Sequence, residues 1–340
     1  MTSAAEVQAA IDRLAASLGR SVLIEDHDQR PVWWCTRGAV DATRMKTILN
    51  RRVDPGAAAV VTQYQLARAT APVHTPAMPE VEMWSRWCMP VRHEGRLLGY
   101  LWVLDPDGTL GEDDLHGVVD CAELAGSVLA KSRQSAEHIR LIRDELIARL
   151  LRGPDEDAVR ELARLQQVPH DALVQVDTPA KPAGWSLPDD MSAHIVGNRP
   201  RLATSGAPLP LISLGEAVRR AGATRRAVAA GALPDPASWD GLGAWRLVVD
   251  APDDVTVEAV HPAAAILAAQ PRGDLLATAR VVLDHGGDVT TAAQELHVHR
   301  TTLYYRLDRI KELTGVDLHD GLTRTHLQLA LWLVAYRSCS

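Results

Sequence analysis

The sequence predicts an α/β multidomain protein whose C-terminal part is all-α, and three patterns carry that expectation. Two apolar strands flank a polar turn between Trp84 and Leu104. A stretch rich in Ala, Pro and Gly, from Asp155 to Pro271, mixes weak strand and helix signals. From Asp274 onward, apolar residues keep helical spacing in four successive blocks. A chain of 340 residues suits two or three domains. The expected boundaries are 1–132 for an α/β domain, 133–153 for a linking amphipathic helix, 154–271 for an α+β domain and 272–340 for a helical domain.

In the first segment, Val7, Ile11, Leu14 and Leu18 predict a helix over Glu6 to Leu18. Ser21 to Glu25 and Pro31 to Cys35 read as short strands around the polar turn Asp26-His27-Asp28. A clearer pair runs from Trp84 to Val91 and from Arg96 to Leu104, joined by His93-Glu94-Gly95 and closed by Asp105-Pro106-Asp107-Gly108. Helical periodicity returns over Glu112 to Ser132. It resumes over Ser135 to Arg152, where Ile139, Ile142, Leu146, Leu150 and Leu151 share one side. A coiled-coil dimer contact and an ordinary packed helix are both open readings of that stretch.

The run Cys88-Met-Pro-Val-Arg-His-Glu-Gly-Arg-Leu-Leu-Gly-Tyr-Leu-Trp-Val-Leu-Asp105, followed by a helix opened by Glu112-Asp113-Asp114, resembles the final hairpin and helix of a GAF domain. That resemblance implies a GAF-like α/β sensor over roughly Glu6 to Lys131, binding an unnamed small-molecule effector or dimerising. Trp33, Cys35, His74, Trp84, Trp87 and Trp102 are the candidate effector contacts, because aromatic walls suit small organic ligands.

In the middle segment, Leu173 to Val176, Ala193 to Val196, Leu209 to Ile212 and Ala244 to Val249 read as strands. Ala158 to Gln166 and Leu214 to Ala230 read as helices. By position and by Asp240-Gly-Leu-Gly-Ala-Trp-Arg-Leu-Val248, this region resembles the degenerate GGDEF-like part of PucR and CdaR type regulators. No GGDEF or GGEEF run is present, so cyclase chemistry has no support.

The C-terminal segment carries the most detailed pattern. Leu275, Leu276, Ala279, Val282 and Leu283 form a first helix that stops at His285-Gly286-Gly287. A short second helix follows, with Thr290 or Thr291 as the expected N-cap and Ala292, Ala293 and Leu296 as its close-packing side. After the turn His297-Val298, a third helix runs from His299 to Leu313. Leu303, Leu307 and Ile310 face the core, while Thr301, Thr302, Tyr305 and Arg309 point away. Gly315 ends it, and a last helix covers Arg324 to Tyr336.

From Thr290 to Gly315 this pattern resembles the C-terminal helix-turn-helix of the PucR/CdaR family. The family's His-Arg-Asn-Thr-Leu, then Tyr-Arg-Leu and Ile, falls on His299, Arg300, Thr301, Thr302, Leu303, Tyr305, Arg306, Leu307 and Ile310. Thr301 departs from the family's Asn. The resemblance implies a ligand-responsive transcriptional regulator that binds double-stranded operator DNA as a homodimer or homotetramer. Its candidate DNA contacts are Thr290, Thr291, His299, Arg300, Thr301, Thr302, Tyr304, Tyr305, Arg306 and Arg309. Arg300, Arg306 and Arg309 would hold phosphates, with Thr301, Thr302 and Tyr305 facing bases. A protein-interaction module that keeps this fold is the alternative.

Composition narrows the field further. An apolar fraction of 46% with 23% charged residues is that of a folded chain with real cores. A net charge of −7 argues against coating nucleic acid through the global field, so any DNA binding is local. Met1 to Glu6 lacks a basic signal-peptide start, and no apolar run is long enough to span a bilayer, so a cytoplasmic, non-membrane protein is expected. Cys35, Cys88, Cys121 and Cys339 show no metal or disulfide spacing, and no cofactor is expected. The absence of GxSxG, HExxH and P-loop motifs argues against an enzyme. The His297/His299 pair reads as turn structure or a phosphate contact rather than a metal site.

Overall fold

The computed structural model describes residues 3–197, 202–271, 274–318 and 320–339. Packing divides the chain into two units, Met1–Ile142 and Arg143–Ser340. The boundary expected at 271/272 adjoins Arg272 and Gly273, which lie outside the described residues.

The first unit opens with α1 (Ala4–Leu18), started by a reciprocal cap in which the Glu6 amide donates to Ser3 Oγ and the Ser3 amide to the Glu6 carboxylate. Strands β1 (Val22–Asp26) and β2 (Pro31–Cys35) follow, then α2 (Ala42–Asn50), α3 (Pro55–Ala58), α4 (Val60–Gln63) and β3 (Val73–Thr75). Strands β4 (Arg86–His93) and β5 (Arg96–Leu104) form the expected hairpin, and α5 (His116–Arg152) comes next. The sheet is antiparallel in the order β2-β1-β5-β4-β3.

Because side chains alternate along a strand, this sheet has two buried faces. Val22, Ile24, Met89, Val91, Leu101 and Val103 pack with α1 and the first half of α5. Leu23, Cys88, Tyr100 and Trp102 pack with Ala57, Val60 and Leu66 from the segment after α2. Burial on both sides explains why Leu97 to Leu104 reads as a nearly unbroken apolar run.

A register shift in β4 at Val91/Arg92 accompanies a close approach to α5. A Cβ on Gly126 would stand 2.2 Å from the Arg92 carbonyl oxygen, so only glycine fits at this contact.

The two helices expected over Glu112–Ser132 and Ser135–Arg152 are one, α5, preceded by a single 3₁₀ turn over Glu112–Leu115. The polar residues between them include no Gly or Pro to break the i→i−4 ladder. Residues 131–141 are exposed all round, Ile139 and Leu141 included, and the apolar stripe becomes buried only at Leu146.

In the second unit, α6 (Glu156–Gln166) precedes β6 (Leu173–Asp177), β7 (Trp185–Leu187), β8 (Met191–Ile195) and β9 (Leu209–Pro210), an antiparallel sheet in the order β7-β8-β6-β9. Next come α7 (Leu214–Ala229), α8 (Trp245–Val249), α9 (Val257–Val260) and α10 (Pro262–Ala268). The strand expected over Ala244 to Val249 is therefore wrong. A strand would bury alternate residues, whereas here Trp245 and Val248, three apart, are buried and Leu247 is 67% exposed. The chain ends with α11 (Asp274–Asp284), α12 (Val289–Glu295), α13 (Arg300–Thr314) and α14 (Gly321–Ser338). α14 is shared between two clusters. Leu327, Ala330 and Leu331 pack with α10, α11 and α13, while Leu333 packs with Ala223, Ala227, Trp239 and Trp245. Among the described residues, no helix is long and apolar enough to cross a membrane.

Candidate nucleic-acid interface

Three short turns set the geometry of the C-terminal helices. α11 closes through left-handed Gly286 and Gly287, with the Gly287 amide donating to the Val282 carbonyl at 2.8 Å. Arg324 of α14 donates to the Gly286 carbonyl at 2.5 Å, clamping that turn from outside. α12 is capped by Asp288, not by a threonine. The Asp288 carboxylate accepts from the Thr290 and Thr291 amides and from the Thr291 hydroxyl, at 2.9, 3.4 and 2.6 Å. The hydroxyl bond, followed by the two amides, holds the Asp288 carboxyl below the usual range. The turn to α13 passes through His297 at φ 52°, and His299 then caps α13 by accepting from the Thr301 amide at 3.3 Å.

Leu303 and Ile310 of α13 are fully buried and Leu307 is half-buried, as the spacing requires. On α12, Ala292 and Ala293 are buried against Val282 and Leu303, so small side chains let the two helices meet closely. The opposite side of α13 presents Arg300, Thr301, Thr302, Tyr304, Tyr305 and Arg309 to solvent, with Tyr304 and Tyr305 54% and 72% exposed. Thr290 and His299 are exposed on the same turn-helix segment, and Thr291 is half-buried.

The guanidinium groups differ sharply. Arg306 turns inward: Nη1 donates to Thr278 Oγ1 at 3.3 Å and Nη2 lies 3.7 Å from the Asp274 carboxylate, both on α11. It fastens α13 to α11. Its place three residues after Leu303 and four before Ile310 puts it on the buried stripe, a signal present in the sequence. Arg309 pairs with Glu312 at 2.8 Å and Lys311 with Asp317 at 2.9 Å, so the surface is less positive than the count of basic residues over His299–Lys311 implies. Arg300, beside the α13 N-terminus, has no carboxylate within 4.0 Å among the described residues. Sequence reasoning also missed Asp288 and Arg324. The Asp288-x-x-Thr291 spacing could have revealed the first, but nothing local marks the second.

With that geometry in view, the similarity to known proteins is local and clear. The family model of the PucR C-terminal helix-turn-helix domain matches residues 275–333, from α11 into α14. Residues 275–333 form a PucR-type helix-turn-helix. Among curated relatives, the proline-responsive transcriptional activator PutR of Bacillus subtilis (strain 168) is 39% identical over 61 residues, which is 18% of this chain. The purine catabolism regulatory protein of the same organism is 42% identical over 57 residues, 17% of this chain. The matches span 15% and 11% of the length of these two relatives. Among solved structures, a regulator of polyketide synthase expression from Bifidobacterium adolescentis covers 58% of this chain and 98% of its own, at 20% identity and a TM-score of 0.22. In the PucR-type domain, α12 and α13 are the paired helices, and α11 and α14 supply the core beneath them.

The six candidate effector residues do not converge. Strand alternation puts Trp33, Cys35 and Trp87 against the α1/α5 face and Trp102 on the other. His74 is exposed at the edge strand, its ring edge-on to Trp87 at 5.1 Å. Trp84 lies just before β4, its backbone bound to Asp41 and Arg86. Of the six, Trp102 lines a small cavity, in company the sequence did not single out: Glu25, Arg44 and Arg86. Among the described residues no group of three or more His, Cys, Asp or Glu side chains could hold a metal ion.

Proposed function

We propose that this chain is a ligand-responsive transcriptional regulator that binds operator DNA through α13. The observation that carries the reading is the exposed row Arg300, Thr301, Thr302, Tyr304, Tyr305 and Arg309 on a PucR-type helix-turn-helix. Short hydroxyls and tyrosines suit base edges in the major groove, while Arg300 and the amides of the α13 N-terminus suit a phosphate. Thr290 and His299 flank the same row and would meet the backbone. Arg306 holds the helix in place rather than touching DNA.

As a homodimer the protein would set two copies of α13 in successive major grooves, with half-sites roughly 34–36 Å apart. The exposed stretch 131–141 of α5, with Ile139 and Leu141 uncovered, is the proposed dimer contact. The first unit is the proposed sensor, in line with its GAF-like hairpin. An effector acts only if it binds one arrangement more tightly than the other.

The test is binding of the full chain to DNA from upstream of its own coding region, measured against salt. Phosphate contacts make log K fall linearly with log salt. Tight, salt-dependent binding weakened by Arg300→Ala supports the reading. Binding no better than to random DNA, by a folded protein, rejects it. The pairing of Arg309 and Lys311 with acids favours the second reading, a partner-binding module that keeps the fold, and a salt-insensitive complex with a protein would establish it.

A further inference from the structure

Arg44, on α2, is 1% exposed, among the most completely buried large side chains of the protein. Its Nη1 donates to Ser21 Oγ at 3.3 Å. Its Nε and Nη2 have no hydrogen-bond partner among the described residues, and no carboxylate there lies within 4.0 Å of the guanidinium. These two nitrogens form one edge of the planar group, a fixed fork that matches the two oxygens of a carboxylate.

The neighbouring arginine is used differently. Arg86 of β4 pairs with Asp41 and donates Nε to the Trp84 carbonyl at 3.1 Å, and Asp41 is further held by the Arg44 and Trp84 amides. Asp41 is therefore committed to Arg86 and to backbone. The remaining acid, Glu25 of β1, is 4% exposed and accepts from Trp102 Nε1 at 2.9 Å.

Arg44, Glu25, Arg86 and Trp102 line a cavity of about 20 Å³ with Leu23, Val53, Ala57 and Met83. That space admits a group the size of a water molecule or one small functional group. Burial pushes the Glu25 carboxyl up to about 7 against the pull of Arg44, the Trp102 hydrogen bond and Arg86. Asp26, Cys88 and Tyr100 are the other titratable groups coupled to it. Burial, with repulsion from Arg86, pulls Arg44 down to about 9. When Glu25 carries its proton, one guanidinium charge in this interior is uncompensated, and a buried charge without a partner is costly.

We propose that this cavity is the binding site for a small carboxylate anion whose carboxylate group fills that space, its oxygens taking parallel hydrogen bonds from Arg44 Nε and Nη2. A monoanion is favoured over phosphate because a second negative charge would lie beside Glu25. The cavity's size selects a short chain, and a longer one displaces Val53 and Ala57, which follow α2 in the turn and in four-residue α3. The inference rests on reading the first unit as the sensor, and it assigns that sensor a chemical class of effector.

The experiment is calorimetric titration and thermal melting of the full chain with formate, acetate, propionate and butyrate. Acetamide, propionamide and inorganic phosphate serve as comparisons at matched ionic strength. Saturable binding by at least one carboxylate but by neither amide is expected, with affinity falling about tenfold per pH unit above pH 7 as Glu25 ionises. Arg44→Met abolishes it, and Glu25→Gln keeps it while removing the fall between pH 7 and pH 8, below the range where Arg44 itself loses its charge. Should Arg44→Met fail to fold, Glu25→Gln alone decides: a tenfold fall in affinity between pH 7 and pH 8 that survives this substitution overturns the proposal.

Equal responses to carboxylates and amides, no response to any carboxylate, a preference for phosphate, or binding that persists in folded Arg44→Met would each overturn it. The titration contains no DNA. Operator binding that stands while no carboxylate binds sinks this proposal alone, and carboxylate binding without any operator binding sinks the regulatory reading alone.

Discussion

The indole rings of Trp245 and Trp332 stack with centroids 4.8 Å apart and planes 16° from parallel. Trp332 belongs to α14, the last helix of the helix-turn-helix, and Trp245 to α8, outside the span of the family match. The Arg226 guanidinium reinforces this union, lying 4.4 Å from the Tyr336 ring centroid and donating to the Tyr336 carbonyl at 2.8 Å. The helix-turn-helix is thus welded to the α7/α8 region. Trp245→Ala is expected to cost about 3–5 kcal/mol, the range for truncating a buried large aromatic. Urea unfolding followed by circular dichroism should show the helices of residues 274–339 lost in the same shifted transition.

Arg300 and Arg306 separate binding from folding. Arg300→Ala should leave the melting temperature unchanged and reduce the slope of log K against log salt by about 1. Arg306→Ala should lower stability by about 1 kcal/mol through the lost bond to Thr278 and leave that slope alone. A melting scan and a salt titration on each variant check both. Arg306→Ala lowering the slope as much as Arg300→Ala would show that it meets a phosphate after all.

The Asp288 cap makes α12 acid-sensitive. Its carboxyl is held below its ordinary value, so its contribution is fully present above the unfolded value and is lost as pH falls through the folded one. Asp288→Asn keeps the acceptor without the charge and should flatten that loss below about pH 4. Asp288→Ala should destabilise α12 at every pH. Amide hydrogen exchange at Thr290 and Thr291 reads the effect directly.

Glu25 acts with the opposite sign. Its folded value is near 7 against 4.5 for the free carboxyl, so the folded state holds the extra proton and stability falls as pH rises between those values. The fall is on the order of 3 kcal/mol and levels off above neutrality. Glu25→Gln should remove the slope, as measured by urea midpoints from pH 4 to pH 8.

Strand alternation was legible because burial on both faces left no polar gaps: Val22, Leu23 and Ile24 alternate faces as pleating dictates. The core of the helix-turn-helix followed from Leu303, Leu307 and Ile310 in the same way. Val248 and Val249 suggest strand, but the Trp245 side chain, anchored on Trp332, decides for helix. Arg44 was not legible, because an arginine in a short helix looks solvated until tertiary packing covers it. The inward turn of Arg306 toward Thr278 and Asp274 was foreshadowed by its position on the apolar stripe, although its charge draws the eye first.

The notch at Gly126 works like a ratchet tooth. A screw displacement of α5 by one residue would bring Ala125 or Ser127, each with a Cβ, to the place where 2.2 Å separates that atom from the Arg92 carbonyl oxygen. The start of the helix and the β4–β5 hairpin therefore travel as one piece. Any change in the cavity that shifts the hairpin must carry the helix along or lift it away from the sheet.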